Sequence, residues 1–176
     1  MKRKSAILFF LAFFTLAASV FPQDKESRKP LIGIAPIKNS TTEPLSIHQL
    51  RLGLLQELNG KVTEAVEVFG TSTDEIVADA LKKKCDFILY DDVIFARRMD
   101  RGPREVPGGR DSDPYAPAGK FAVRIRYKLI APEGRKPRME DIAVSANPSA
   151  VTAQEAVEGA LHIVREFVVS ELRTKK

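Results

Sequence analysis

The stretch FILYDDVIF, residues 87–95, places two adjacent carboxylates inside an apolar run. Two neighbouring acids in an apolar hairpin can together hold a magnesium ion. In this sequence the apolar run resumes directly after Asp92 with no turn residue, which favours one continuous strand. Because neighbouring side chains of a strand point to opposite faces, Asp91 and Asp92 cannot both reach one ion. We therefore interpret the pair as a bulge, or as an edge where the strand leaves the core.

The chain before this stretch alternates strand patterns with helical patterns. LIGIAPI, residues 31–37, is apolar throughout, which indicates a strand buried on both faces. Ser72 stands three residues before Glu75, the spacing of a capping box at the start of a helix. Strands that are joined by helices pair in parallel through crossover connections. The predicted elements are a strand at 31–37, a helix at 46–59, a strand at 63–70, a helix from Ser72 and a strand at 87–96.

The chain after this stretch has a different pattern. Residues 99–119 are rich in proline and glycine, which predicts a long irregular loop. Residues 120–131 alternate apolar and basic side chains, so one face of that strand is predicted to be core and the other solvated. A strand at 138–145 and a helix at 152–173 follow. The order β-α-β-α-β-(long loop)-β-β-α predicts an α/β (α+β) fold, a single domain with one mixed sheet and helices packed on it.

The amino terminus predicts export. Three basic residues precede an apolar run from Ala6 to about Val20, and small residues close the run, which is the pattern of a secretory signal peptide. The run is too short to span a bilayer comfortably, so we expect no stable membrane anchor after cleavage. The predicted organisation is a signal peptide at 1–19, a flexible leader at 20–30 and the α/β domain at 31–175. The protein is then periplasmic or secreted.

The charge balance argues against a nucleic-acid partner. The chain contains 28 basic and 23 acidic residues, for a net charge of +5. Three of the basic residues and none of the acidic ones lie in residues 1–19, so the remaining chain carries a net charge of +2. Nucleic-acid binding usually needs a concentrated basic face, which this weak excess does not supply.

Motifs of exported enzymes are absent from the sequence. It contains no Gly-x-Ser-x-Gly elbow, no His-Glu-x-x-His helix and no glycine-rich phosphate loop. We therefore predict that the protein is not an enzyme and that it uses no cofactor. A metal-dependent hydrolase built on Asp91 and Asp92 is the less favoured alternative.

The other metal-binding side chains favour structural roles. His162 has Glu158 and Glu166 four residues away on either side, a set that zinc can use but that is more typical of ordinary pairs on a helix surface. Cys85 is the only cysteine, so it can form no internal disulfide, and we interpret it as a small buried side chain. No metal site is predicted.

Three stretches resemble a family of bacterial envelope domains. LIGIAPIKNSTTEP, residues 31–44, resembles the strand-Pro-Phe-x-Asn opening of the family that includes the amino-terminal domain of TolB, CsgG and LpoB. ALKKKCDFILYDDV, residues 80–93, resembles its helix running into a strand, and FAVRIRYKLIAPEGRKPRMEDIAV, residues 121–144, resembles its hairpin. The match spans about Leu31 to Arg173. The resemblance implies an α/β fold, an envelope location and a domain that binds other proteins without being an enzyme.

These observations predict an exported, non-catalytic domain that binds another envelope protein. The sequence leaves open the identity of that partner and the oligomeric state of this protein. The long loop and the basic strand face carry arginine and tyrosine, which are enriched at protein interfaces. The alternative is a periplasmic domain that binds a small ligand at the carboxyl ends of the first strands, near Asn39 to Thr42. The candidate partner-binding residues are Arg101, Arg104, Arg110, Tyr115, Arg124 and Arg126.

Overall fold

A twelve-residue strand, Phe87–Arg98, lies in the middle of the sheet. It belongs to a computed structural model that describes residues 28–98, 121–134, 137–147 and 150–174. In chain order the elements are β1 (Leu31–Ile34), β2 (Lys38–Asn39), α1 (Ile47–Leu58), β3 (Glu64–Glu67), α2 (Thr73–Lys82), β4 (Phe87–Arg98), β5 (Phe121–Ile130), β6 (Pro137–Asn147) and α3 (Ala153–Arg173).

The six strands form one mixed sheet in the order β3-β1-β4-β5-β6, with β2 also paired to β4. β1 pairs in parallel with both β3 and β4, and β2 pairs in parallel with β4. β4, β5 and β6 form an antiparallel meander. The predicted fold class is confirmed, including the parallel first half and the antiparallel second half. The predicted loop at 99–119 lies outside the described residues.

The first predicted strand, 31–37, is interrupted. Ile34 pairs with Leu89 and Lys38 pairs with Asp92, so three residues of the first segment lie opposite two residues of β4. Pro36 is the middle one of those three, and proline has no N–H group to donate to a ladder. The chain therefore bulges at Pro36 and rejoins β4 as the two-residue strand β2.

Local capping signals start α2 and α3 where the sequence predicts them. The Ser72 hydroxyl accepts a hydrogen bond from the N–H of Glu75, and the Glu75 carboxylate accepts one from the N–H of Ser72, so the capping box of α2 is confirmed. Thr152 caps α3 by accepting a hydrogen bond from the N–H of Glu155. Ser46 precedes α1 without a side-chain cap bond. Of the helices at 47–58, 73–82 and 153–173, none has the length and apolar character that a membrane span requires.

Two apolar cores lie on opposite faces of the sheet. The larger lies under α1 and α3 and contains the buried stripe of α3, including Val157, Leu161 and Val164. Phe167, which the helical pattern assigns to that stripe, is 47% exposed, and its ring stacks on Tyr127 with a centroid distance of 6.2 Å. The smaller core lies under α2 and consists of Ala35, Val68, Ile76, Ala80, Cys85, Ile88 and Ile130.

Arg51 joins α1 to the carboxyl ends of β1 and β3. Its side chain is 7% exposed, and Nη2 donates to the carbonyl oxygen of Ile34 at 2.5 Å and to that of Val68 at 2.6 Å. Nη1 lies 3.4 Å from a carboxylate oxygen of Glu67, and the guanidinium lies 5.1 Å from the ring centroid of Phe69. A buried cation needs such partners, because an unpaired one carries a large desolvation cost.

The Arg51 contacts predict a stability effect. Arg51→Met should lower the free energy of unfolding by about 2–4 kcal/mol, because the carbonyl groups lose a buried donor and Glu67 loses its ion-pair partner. Gln56→Met, on the exposed side of the same helix, is the matched control and should change that energy by less than about 0.5 kcal/mol. Urea denaturation measures both variants, and equal losses would contradict the role assigned to Arg51.

Candidate functional site

One side of the antiparallel half of the sheet carries no helix. α1 and α3 pack on the opposite face, and the core under α2 reaches β5 only at Ile130, so no described helix lies over this side of the rest of β5 or of β6. Ile142 and Val144 are 45% and 61% exposed there. We call this surface the uncovered face. It consists of Asp92 and Phe95 of β4, Arg124, Arg126 and Lys128 of β5, and Glu140, Ile142 and Val144 of β6.

Two arginines occupy the centre of the uncovered face. Arg124 lies between Phe95 and Val144 in the cross-strand register, and its guanidinium is 5.6 Å from the Phe95 ring centroid. Arg126 lies between Asp92 and Ile142, and forms neither an ion pair nor a hydrogen bond with any described residue. This arrangement places exposed cations beside exposed apolar side chains, the combination found at protein interfaces.

A groove borders the uncovered face at the amino end of α2. Its volume is about 280 Å³, and it lies at the carboxyl end of β1. β3 and β4, the next strands in the chain after β2, lie on opposite sides of β1, so this end of β1 is a topological switch point of the sheet. Lys38, Arg126 and Lys128 supply three cationic side chains to its lining, and the acidic residues Asp91, Asp92 and Glu140 also line it. Lys128 lies 4.0 Å from a carboxylate oxygen of Glu140. The buried hydroxyl oxygen of Tyr90, which also lines the groove, has no hydrogen-bond partner among the described residues. Burial raises the pKa of that phenol.

Asp91 and Asp92 lie on opposite faces of β4. Asp91 is the direct cross-strand neighbour of Tyr127, a residue of the larger core, and is 3% exposed. Neither carboxyl oxygen of Asp91 has a hydrogen-bond partner among the described residues. Asp92 lies on the uncovered face and accepts a hydrogen bond of 2.7 Å from the hydroxyl of Ser40. The expectation that the two acids cannot share one ion agrees with this geometry.

The interpretation of the acidic pair as an edge of the core is wrong. β4 has partner strands on both sides, and Asp91 is buried rather than at the surface. A bulge does occur, but it follows the pair: Val93 pairs with Ile125 and Phe95 with Arg124, which leaves Ile94 without a partner. That extra residue returns Ala96 to the larger core. The bulge thus shifts the alternation of side chains after Ile94, so that Ala96 points into the core.

The burial of Asp91 perturbs its ionisation. Desolvation in the larger core raises its pKa from 3.8 to about 7, because the charged form loses its hydration without gaining a partner. Within the described ranges, no three histidine, cysteine or acidic side chains lie close enough together to hold a metal ion.

His162 links two helices. Its Nδ1 lies 3.0 Å from a carboxylate oxygen of Glu57 on α1, and its Nε2 lies 4.0 Å from one of Glu166 on α3. Glu158 instead accepts a hydrogen bond from Gln154. The sequence pattern identified the Glu166 pair but not Glu57, which lies 105 residues away in the chain.

The predicted partner-binding residues separate into two groups. Arg124 and Arg126 lie two residues apart on β5 and share the uncovered face. Arg101, Arg104, Arg110 and Tyr115 lie outside the described residues. Ile142 and Val144 were not predicted as site residues, although their positions in the strand at 138–145 alternate with the buried Ala143.

The turn proposed for a small ligand is internally bonded. The Asn39 side-chain oxygen accepts hydrogen bonds from the N–H and the hydroxyl of Thr41, and its amide nitrogen donates to the carbonyl oxygen of Glu43. These bonds use the Asn39 side chain within the turn. The groove lies next to this turn and is lined by Pro36 and Lys38 instead.

Comparisons with known proteins identify the fold. No family model matches the sequence, and no curated protein matches it. Among solved structures, PelC from Paraburkholderia phytofirmans, a dodecamer, is similar with a TM-score of 0.55 and 14% identity over 81% of this chain and 87% of that chain. The hypothetical protein CT253 from Chlamydia trachomatis is similar with a TM-score of 0.55 and 7% identity over 82% of this chain and 98% of that chain. The chain shares its fold with both bacterial proteins.

TolB, which belongs to the family that the sequence resembles, is also among the similar structures. TolB from Acinetobacter baumannii matches with a TM-score of 0.43 and 13% identity, over 82% of this chain and 28% of that chain. The fold shared with PelC and CT253 agrees with the mixed α/β domain that the resemblance implied. A specific relation to TolB, CsgG or LpoB stays a prediction.

Asp91 predicts an unusual pH dependence of stability. A carboxyl whose pKa is raised on folding binds its proton more tightly in the folded state, so it lowers stability as the pH rises from about 4 through about 7. Between about pH 5 and pH 8, the free energy of unfolding of the wild type should fall by about 3 kcal/mol more than that of Asp91→Asn, because an amide does not ionise.

Urea denaturation at the two pH values measures this difference. Asp92→Asn is the matched control, since it removes a carboxylate from the other side of the same strand. A pH dependence that is equal in the Asp91 and Asp92 variants would contradict the assignment to the buried acid.

Proposed function

We propose that this protein is an exported, non-catalytic domain of the bacterial cell envelope that binds another protein through its uncovered face. One observation supports this proposal most directly. Arg124 and Arg126 lie on a sheet surface that no described helix covers, beside the exposed side chains of Ile142 and Val144. The partner is an envelope protein that presents acidic side chains around an apolar centre.

Export and an envelope location are supported by the amino terminus. Its basic residues, apolar run and small closing residues form a secretory signal pattern. The shared fold bears on binding, because the similar protein PelC is a dodecamer. An assembly of chains with this fold is consistent with a use in protein binding.

Protein binding is supported by the chemistry of the uncovered face. Burying Ile142 and Val144 against a partner would remove apolar surface from water, which is the main driving force of association. Arg126 offers a guanidinium without a partner among the described residues, so a carboxylate of a partner could pair with it in bidentate geometry. The arginines would then select the partner and orient it, while the apolar pair supplies affinity.

A non-catalytic role is supported by the placement of the acids. Asp91 faces the larger core and Asp92 faces the solvent side, so the pair that suggested a hydrolase does not converge on one substrate. His162 pairs with Glu57 and Glu166 on the helix side of the sheet, away from the groove. No nucleophile, base and oxyanion donor come together among these groups.

A charge reversal tests protein binding. Arg124→Glu/Arg126→Glu should abolish capture of the partner in a cross-linking pull-down from the native envelope, because two attractive charges become repulsive. Lys61→Glu/Arg173→Glu makes the same change in net charge at exposed positions away from the uncovered face, and capture should survive it. Capture that persists in the first variant, or fails equally in both, would show that the uncovered face is not the binding site.

The groove supports a second candidate function, the binding of a small anionic ligand. Its three cations outnumber the carboxylates of Asp92 and Glu140 on the uncovered face, and the Tyr90 hydroxyl has no partner among the described residues, so the groove suits a carboxylate or a phosphate. Pro36 and Ile76 supply apolar contacts. The ligand would bind at the position where open α/β sheets commonly bind ligands.

A thermal-shift experiment with citrate, malonate and inorganic phosphate tests the groove. One of these anions should raise the melting temperature of the wild type, since a ligand that binds only the folded state stabilises it. Arg126→Gln should lose the shift, whereas Arg173→Gln should keep it. An absent shift, or one that both variants retain, would count against a ligand in the groove.

A further inference from the structure

The outer edge of β6 presents backbone groups that pair with no other described strand. β6 is the last strand of the sheet and pairs only with β5 among the described strands. The N–H of Ile142 donates to a carboxylate oxygen of Asp141 at 2.7 Å, so it points away from β5. Backbone groups of an antiparallel strand alternate in direction, so those of Glu140 and Val144 also point outward. β6 therefore directs a set of donors and acceptors away from β5, and the Ile142 N–H among them is bonded to the side chain of its own neighbour.

The second half of β6, residues 142–146, lacks the usual protection of an edge strand. Residues 142–146, sequence IAVSA, contain no charge, and Ile142 and Val144 are exposed. The other edge of the sheet, β3, has only four residues and carries Glu64 and Glu67. Natural proteins protect edges with charges, proline or short strands. β3 follows this pattern, and the second half of β6 does not.

We propose that a second copy of this chain pairs with β6, antiparallel, about a two-fold axis at Ala143. In this register Ile142 of one copy lies opposite Val144 of the other, so two apolar pairs flank the axis. The pairing satisfies the outward backbone groups of both strands at once. It joins two six-stranded sheets into one continuous sheet and extends the uncovered face across both copies.

The charges of β6 favour this register. An axis at Ala143 places Glu140 opposite the position of Ala146 and Asp141 opposite Ser145, so no like charges meet. An axis at Glu140 or at Asp141 would place two carboxylates directly opposite each other, which is destabilising.

The residue on the two-fold axis, Ala143, also suits the close approach of the two strands. Ala143 directs its backbone groups toward β5, so the two copies of Ala143 form a non-hydrogen-bonded pair in the new ladder. The Cα atoms of such a pair approach to about 4.5 Å, which suits a small side chain. Because the contact is the same patch on both copies, it closes as a dimer and does not propagate into a filament.

The oligomeric state of the full chain, purified from the exported fraction, tests the pairing. Analytical ultracentrifugation at micromolar concentration should give a dimer for the wild type and a monomer for Val144→Lys, since charge on an edge strand blocks strand addition. Val151→Lys is the matched control, because Val151 is 75% exposed and lies outside β6, and it should remain a dimer. Circular dichroism verifies that the variants are folded.

Disulfide trapping tests the register. Directly opposite residues in a hydrogen-bonded pair have Cα atoms about 5.5 Å apart, within reach of a disulfide. Mild oxidation of a mixture of Ile142→Cys and Val144→Cys chains should therefore give covalent dimers, and each variant alone should give several-fold fewer.

A monomeric wild type, an assembly that survives Val144→Lys, or cross-linking that is equal in the mixture and in the single variants would overturn the proposal. These measurements use no partner protein. They are thus independent of capture by Arg124 and Arg126, and either inference can fail without the other.

Discussion

The fold depends on satisfying the backbone of β4 along both of its edges. A central strand of twelve residues, most of them buried or half-buried, carries N–H and C=O groups on both sides, and each group left unpaired away from water is costly. β1 and β2 pair in parallel with one edge of β4 as far as Val93, and β5 pairs with the other edge from Ile88 to Arg98 in antiparallel orientation. The sheet is mixed because β4 has the parallel strands β1 and β2 on one side and the antiparallel strand β5 on the other.

Each half of the sheet adapts to β4 by a local irregularity. On the parallel side the chain bulges at Pro36, where a ladder hydrogen bond is impossible, and rejoins the sheet as β2. On the antiparallel side, Ile94 is the extra residue that keeps Ala96 in the core and Phe95 on the uncovered face. Irregularities of this kind redirect side chains without ending the strand pairing. They bring Lys38, Asp92 and Arg126 into one neighbourhood.

The uneven distribution of helices creates the surface to which we assign function. α1 and α3 pack on one face of the sheet, and α2 packs on the other face beside the parallel strands and Ile130 of β5. The antiparallel half therefore keeps a solvated side on which apolar and basic residues lie together. A domain of this type needs no catalytic group to be useful, since a rigid sheet that displays fixed cations and an open edge can recognise proteins.

Local patterns in the sequence predicted much of this site. The alternation in β5 placed Arg124 and Arg126 on one solvated face, because strand periodicity depends only on neighbouring residues. Four features were not predicted from these patterns. They are the interruption at Pro36, the burial of Asp91, the exposure of Phe167 and the hydrogen bonds from Arg51 to backbone carbonyl groups. Each depends on which element lies opposite the residue, and a single sequence does not record that information.

The sequence by itself determined the order and type of the elements, the capping of α2 and α3, the alternation of β5 and the pattern of an exported chain. These features arise from periodicity, capping and composition, which act over a few residues. The tertiary structure alone decided which side of the sheet stays open, that Asp91 lies in the core, and that the uncharged second half of β6 lies at an edge of the described sheet. The physical reason is that burial and pairing are properties of two surfaces in contact, and the second surface comes from residues far away in the chain.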